Sequence, residues 1–115
     1  MKVWTDSSLT ASCFVIEGYD PVVENYDKKV TVNEGEYLPL MRALFKLFRT
    51  GYAARDKLVI HMDSKLVVDH INGAACCRAN NLKPLLAEVS YLVQLLKAKV
   101  VWIPREQNLA GKVLG

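Results

Sequence analysis

The chain has 115 residues, which at roughly 150 residues per domain reads as a single domain spanning 1–115. Fifteen Lys+Arg against 12 Asp+Glu leave a net charge of +3, and 51% apolar with 23% charged residues excludes a disordered chain. Leu82–Leu96 is broken by charged and amide residues well short of the ~20 apolar residues of a membrane span, and Met1–Asp6 lacks a signal-peptide core. A soluble, cytoplasmic protein with no membrane partner is therefore expected. A charge of +3 accommodates a polyanion without demanding one. Cys13, Cys76 and Cys77 cannot all pair, there is no CxxC, and His61 and His70 are too far apart for a one-turn zinc pair.

Lys2–Asp6 has strand character and is closed by Ser7-Ser8, and Ala11–Glu17 is a second strand ending at the turn residues Gly18–Pro21. Glu24–Val32 alternates, with Tyr26, Val30 and Val32 on one parity, and predicts a third strand at an edge. The period then becomes helical through Leu40, Leu44, Leu47 and Phe48 up to Gly51. Pro39 is the misfit in that helix, so it either starts late or enters bent. Arg42, Lys46 and Arg49 form a basic stripe along it, either solvated or touching phosphate. Lys57–Met62 reads as a strand and Ser64–Ile71 as a short helix whose His70 is expected in solvent. Asn80-Asn81 should cap a helix over Leu82–Leu96, and Lys99–Ile103 is the last strand. The order β-β-β-α-β-α-α-β implies an α/β fold. Its sheet is mixed and five-stranded, three antiparallel strands followed by parallel ones, with helices on its faces.

Three acidic residues stand at element ends: Asp6, Glu36 and Asp63. Each has an ordinary structural role open to it. Asp6 could form an Asx-turn, Glu36 a capping box with Asn33, and Asp63 a helix N-cap. Together they admit another reading. If the first and fourth strands are parallel neighbours, Asp6 and Asp63 end on the sheet edge where open α/β sheets take ligands. A following helix can bring Glu36 to the same corner. Three mutually repelling carboxylates suit a hard divalent cation such as Mg²⁺, which points to phosphoryl chemistry.

The segments Val3–Ser8, Thr31–Tyr37 and His61–Ser64 resemble the motifs of type 1 ribonuclease H in order and spacing. Asn81–Leu86 and Trp102–Ala110 resemble its bacterial branch, so the likeness runs over nearly the whole chain. The resemblance implies the ribonuclease H-like fold and metal-dependent hydrolysis of the RNA strand of RNA–DNA hybrids. It implies Asp6, Glu36 and Asp63 as catalytic and metal-binding residues, with Mg²⁺ as cofactor and Mn²⁺ as a substitute. It places Ser7, Asn33 and Ser64 at nucleic-acid-binding positions, consistent with an RNA reader that must sense 2′-hydroxyls from a shallow groove.

The departures are specific. The family's fourth carboxylate falls where this chain has Gly111, Val32 replaces an asparagine, and at Gly115 the family's last helix is only beginning. The alternative reading is accordingly a ribonuclease H-like nucleic-acid-binding domain with weak or no catalysis. A third is a module unrelated to nucleic acids, with the carboxylates serving only as caps. Asn108–Gly115 is too short to hold a helix alone and should be frayed unless a partner chain covers it. From charge alone, Gly111→Asp should raise cleavage.

Overall fold

The computed structural model describes residues 1–51 and 57–115. Among these residues five strands form one sheet: β1 (Lys2–Ser7), β2 (Ala11–Ile16), β3 (Val22–Asn25), β4 (Val59–Met62) and β5 (Lys99–Trp102). Their order across the sheet is β3-β2-β1-β4-β5. The β1–β2 and β2–β3 pairs are antiparallel, whereas β1–β4 and β4–β5 are parallel. Among the described residues four α-helices accompany it: α1 (Val32–Arg49), α2 (Lys65–Ile71), α3 (Lys83–Leu95) and α4 (Leu109–Leu114). The mixed sheet with helices is the architecture expected from the element order. None of the described helices is long and apolar enough to cross a membrane.

Helix α1 buries Tyr37, Leu40, Ala43, Leu44 and Leu47 over β1 and β2, in one core with Val3, Phe14, Ile16, Ile60 and Met62 of the sheet. The i, i+3, i+4, i+7 spacing of residues 40, 43, 44 and 47 generates this face, and each leucine buried contributes about 1.5–3 kcal/mol. Helices α1 and α3 also contact each other, with Val89 and Leu92 of α3 in the same core.

Several boundaries differ from those expected. The third strand is Val22–Asn25, not Glu24–Val32, because pairing with β2 starts directly after Pro21 and the helix has begun by Val32. The capping box is Thr31 with Glu34, not Asn33 with Glu36: Thr31 Oγ1 accepts from Glu34 N at 3.1 Å, and Glu34 Oε1 accepts from Thr31 N at 2.9 Å. Helix α3 has no side-chain cap from Asn80 or Asn81; its N-cap is Leu82, with Pro84 in the first turn. His70 is buried rather than solvated, its Nδ1 lying 3.2 Å from the Tyr37 hydroxyl.

Pro39 neither delays nor ends α1; it lies buried in the helix interior. Lacking an N–H, it leaves the Gly35 carbonyl without its i+4 donor. The Tyr26 hydroxyl fills that vacancy, donating to Gly35 O at 3.3 Å. Arg42 is likewise committed to the fold, pairing with Glu24 at 2.8 Å and donating to Ser12 Oγ at 3.0 Å.

Tyr26→Phe is expected to lower unfolding free energy by about 1 kcal/mol, the net worth of a part-buried hydrogen bond. In a Pro39→Ala background the restored backbone donor should shrink that loss. Urea unfolding of the two single variants and the double variant measures the coupling.

Candidate metal centre

The β1–β4 register pairs Trp4 with His61, and the same offset two residues on sets Asp6 opposite Asp63. Both carboxylates therefore stand at the carboxyl ends of adjacent parallel strands, the edge favoured for ligands in such sheets. Glu36 arrives from the second turn of α1. One carboxylate oxygen from each of Asp6, Glu36 and Asp63 lies within 4.8 Å of the other two. All three are part-buried.

None of the ordinary structural roles open to these residues accounts for them. The capping box belongs to Thr31 and Glu34. The N-cap of α2 is Ser64, whose Oγ accepts from Val67 N at 3.4 Å, so Asp63 is left outside the helix. The turn after β1 is closed by Ser8, whose hydroxyl accepts from Thr10 N and Ala11 N.

Close approach of α1 to β1 depends on Gly35. A Cβ there would lie 3.0 Å from Ser7 Oγ and 3.3 Å from the Tyr26 hydroxyl, so a larger residue would displace the hydroxyls that bond Glu36 and the Gly35 carbonyl. The Ser7 hydroxyl in turn donates to Glu36 Oε1 at 3.3 Å. Glu36 Oε2 is buried and has no hydrogen-bond partner among the described residues. Asn33, the other resemblance-derived position on α1, lies part-buried in its first turn.

Asn108 is the organising residue that the sequence did not single out. It is fully buried, its Nδ2 donates to Thr5 O at 2.9 Å and to Asp63 Oδ2 at 3.1 Å, and its Oδ1 accepts from Ala110 N at 3.1 Å. One amide thus joins β1, orients Asp63 and caps α4. The available signal was an asparagine directly before a short helix-forming run. The expectation of a frayed Asn108–Gly115 is corrected by the same contacts. Leu109–Leu114 is helical because its cap is tied into the sheet and Ala110 is buried, although an isolated segment of that length would not hold. Trp102 adds a second restraint, its Nε1 donating to Asp63 O at 3.1 Å.

Burial, and then the charges of Asp6 and Asp63, push the Glu36 carboxyl up to about 7, against the lowering effects of the Ser7 hydroxyl and Arg105. Burial and Asp63 likewise raise Asp6, opposed by the Ser7 N–H and by Arg105. Two recesses of about 340 and 190 Å³ flank the cluster, and Ser7, Ser8 and Arg105 line both. A larger cavity of about 580 Å³ lies along the Arg42, Lys46 and Arg49 stripe, away from the carboxylates. His61 does not join the cluster; its Nδ1 donates to Val3 O at 3.1 Å and its ring stacks on Trp4 with centroids 5.5 Å apart.

The reverse transcriptase-like family model matches residues 19–114, a span that takes in Glu36, Asp63 and Gly111 and begins after Asp6. Among solved structures, the chain is similar to LC11-RNase H1, isolated from compost by a metagenomic approach, with 24% identity and a TM-score of 0.78 over 98% of this chain and 90% of that one. It is also similar to RNase H1 from the halophilic archaeon Halobacterium salinarum, with 19% identity and a TM-score of 0.76 over 98% and 90% of the two chains. LC11-RNase H1 in complex with an RNA/DNA hybrid matches with 21% identity and a TM-score of 0.75 over 99% and 97%.

The raised Glu36 value sets the direction of a pH effect. The folded protein holds that proton more tightly than the unfolded chain, so the stabilisation is fully present below about 4.5 and is lost as pH rises to about 7. Without added metal, the urea midpoint is expected to fall across this window, and to fall less in Glu36→Gln. Parallel slopes for the two proteins would contradict it.

The sheet order, the helix placement and the family match together establish that this chain belongs to the reverse transcriptase-like family and carries the ribonuclease H-like fold.

Proposed function

We propose that the chain hydrolyses the RNA strand of RNA–DNA hybrids in a divalent-cation-dependent reaction, with Asp6, Glu36 and Asp63 as the metal-binding and catalytic residues. The observation that carries this reading is the convergence of three carboxylate oxygens within 4.8 Å at one sheet edge, where none of the three caps a helix. The donor set is all oxygen, which suits Mg²⁺, with Mn²⁺ as a substitute. The unpartnered Glu36 Oε2 fits a cation ligand better than a solvated surface group. Similarity to an RNase H1 whose structure holds an RNA/DNA hybrid supports the choice of substrate.

A cation bound there supplies countercharge to the carboxylates and polarises a phosphodiester oxygen. The chain's own residues do the rest. Asn108 fixes the Asp63 carboxylate, and the Ser7 hydroxyl fixes Glu36. Arg105, lining both flanking recesses, offers positive charge to a phosphate entering beside Asp6. Ser7, Asn33 and Ser64 are the proposed contacts to nucleic acid. Ser64 also caps α2, so its hydroxyl serves the fold before it serves a ligand.

Gly111 favours a second reading, a hybrid-binding domain with weak or no catalysis, because that residue places no side chain beside Asp6.

Labelled RNA–DNA hybrid, duplex RNA and duplex DNA, each with Mg²⁺ or Mn²⁺, separate the two readings. Cleavage of the hybrid's RNA strand alone is expected, abolished by EDTA. Asp63→Asn should lower it by about two orders of magnitude, the scale on which loss of one preorganised group acts. Hybrid binding without cleavage under both cations would favour the second reading, and no preference for the hybrid would contradict both.

A further inference from the structure

We propose that the C-terminal half of α1 carries a second nucleic-acid site, a track for single-stranded nucleic acid with a base in each of two adjoining recesses and a phosphate at Lys46. Such a site stands whether or not the chain cleaves hybrids.

The larger recess, about 580 Å³, lies between α1 and the β2–β3 edge of the sheet, with Phe14, Val22 and Phe45 as apolar walls and Arg42, Lys46 and Arg49 as its cations. That volume falls among those of small-ligand pockets, roughly 300–1,000 Å³. A smaller recess of about 220 Å³ has Ile16, Tyr19 and Leu47 in its lining. Lys46 and Thr50 line both, so the two recesses adjoin at the end of α1. Neither shares a residue with the recesses that flank the carboxylate cluster.

Charge decides the class of ligand. Glu24 is the one carboxylate in the lining of the larger recess, and Arg42 pairs with it at 2.8 Å. Lys46 and Arg49 are exposed and enter no ion pair among the described residues. They stand about 4.5 Å apart along the helix axis, at ~1.5 Å per residue. Two uncompensated cations beside an apolar-walled groove suit a polyanion.

The aromatic residues decide which polyanion. The larger recess holds the half-buried Phe45, and the smaller holds Tyr19, which is 68% exposed. Aromatic rings beside cations hold single strands, whose bases are free to stack on protein while their phosphates meet the charges. A duplex keeps its bases stacked on one another and leaves such rings unused. An acidic peptide would satisfy the cations alone. Two recesses joined at a lysine match two nucleotides joined by a phosphate, whereas a free nucleotide fills only one.

Fluorescence anisotropy of the whole chain with a labelled short oligothymidylate tests this. Working in EDTA keeps the outcome independent of cleavage at the carboxylate edge. Binding that weakens with salt is expected. Lys46→Ala should weaken it and reduce the slope of log affinity against log salt by about 0.7, the value of one single-strand phosphate contact. Tyr19→Ala should weaken it about tenfold, the scale of one lost base stack, with the slope unchanged. Both side chains are exposed, so neither change reaches the core. No binding at low salt, or parental affinity in either variant, would overturn the proposal. So would displacement of the strand by an equal concentration of polyglutamate or of thymidine monophosphate, which would mark an acidic-peptide groove or a single-nucleotide pocket instead.

Discussion

Three carboxylates held within 4.8 Å of one another are the constraint around which this small fold is organised. Two ionised groups at that distance repel by about 3 kcal/mol at an effective dielectric near 20, and three such pairs would drive an unsupported corner apart. The chain restrains them from three directions. Adjacent parallel strands fix the Asp6 and Asp63 backbones side by side, with Asp63 held further by Trp102 and Asn108. Gly35 lets α1 come down onto Ser7, and Ser7 holds Glu36. Arg105 supplies partial charge compensation from the loop after β5. A proton on Glu36 relieves the remaining repulsion, and under the proposed function a divalent cation would do so in its place.

The last helix acquires its order from this corner. Six residues are too few to sustain helical bonding by themselves, yet Leu109–Leu114 is folded because its cap, Asn108, is also bonded to Thr5 and Asp63. Stability of α4 and geometry of Asp63 are therefore linked through a single buried amide, and a disturbance of either reaches the other. Beside it, the glycine at 111 leaves the room that Asp6 occupies.

Much of this was legible in the sequence. Helical spacing at Leu40, Leu44 and Leu47, and strand character at Lys2–Asp6 and Lys99–Ile103, located the elements because each buries one face. Asp6 and Asp63 could be placed on one edge once their strands were taken as parallel neighbours. What escaped is physically instructive. The alternation of Tyr26, Val30 and Val32 suggested a strand, but Tyr26 is occupied with the Gly35 carbonyl that Pro39 leaves free, and Thr31 already starts the helix. Thr31-Glu34 and Asn33-Glu36 offer overlapping capping patterns, and spacing alone cannot choose between them. His70 looked like a flank residue because its partner, Tyr37, is distant in sequence. Asn108 was equally opaque, since two of its contacts cross to Thr5 and Asp63, far earlier in the chain.

The central claim is that Asp6, Glu36 and Asp63 act together as one cation site. Anomalous diffraction from crystals equilibrated with Mn²⁺ tests it most directly. The account predicts a peak about 2.1–2.2 Å from one carboxylate oxygen of each residue, the ligand distance of a small divalent ion. A peak that touches fewer than all three, or none at this edge of the sheet, would contradict it.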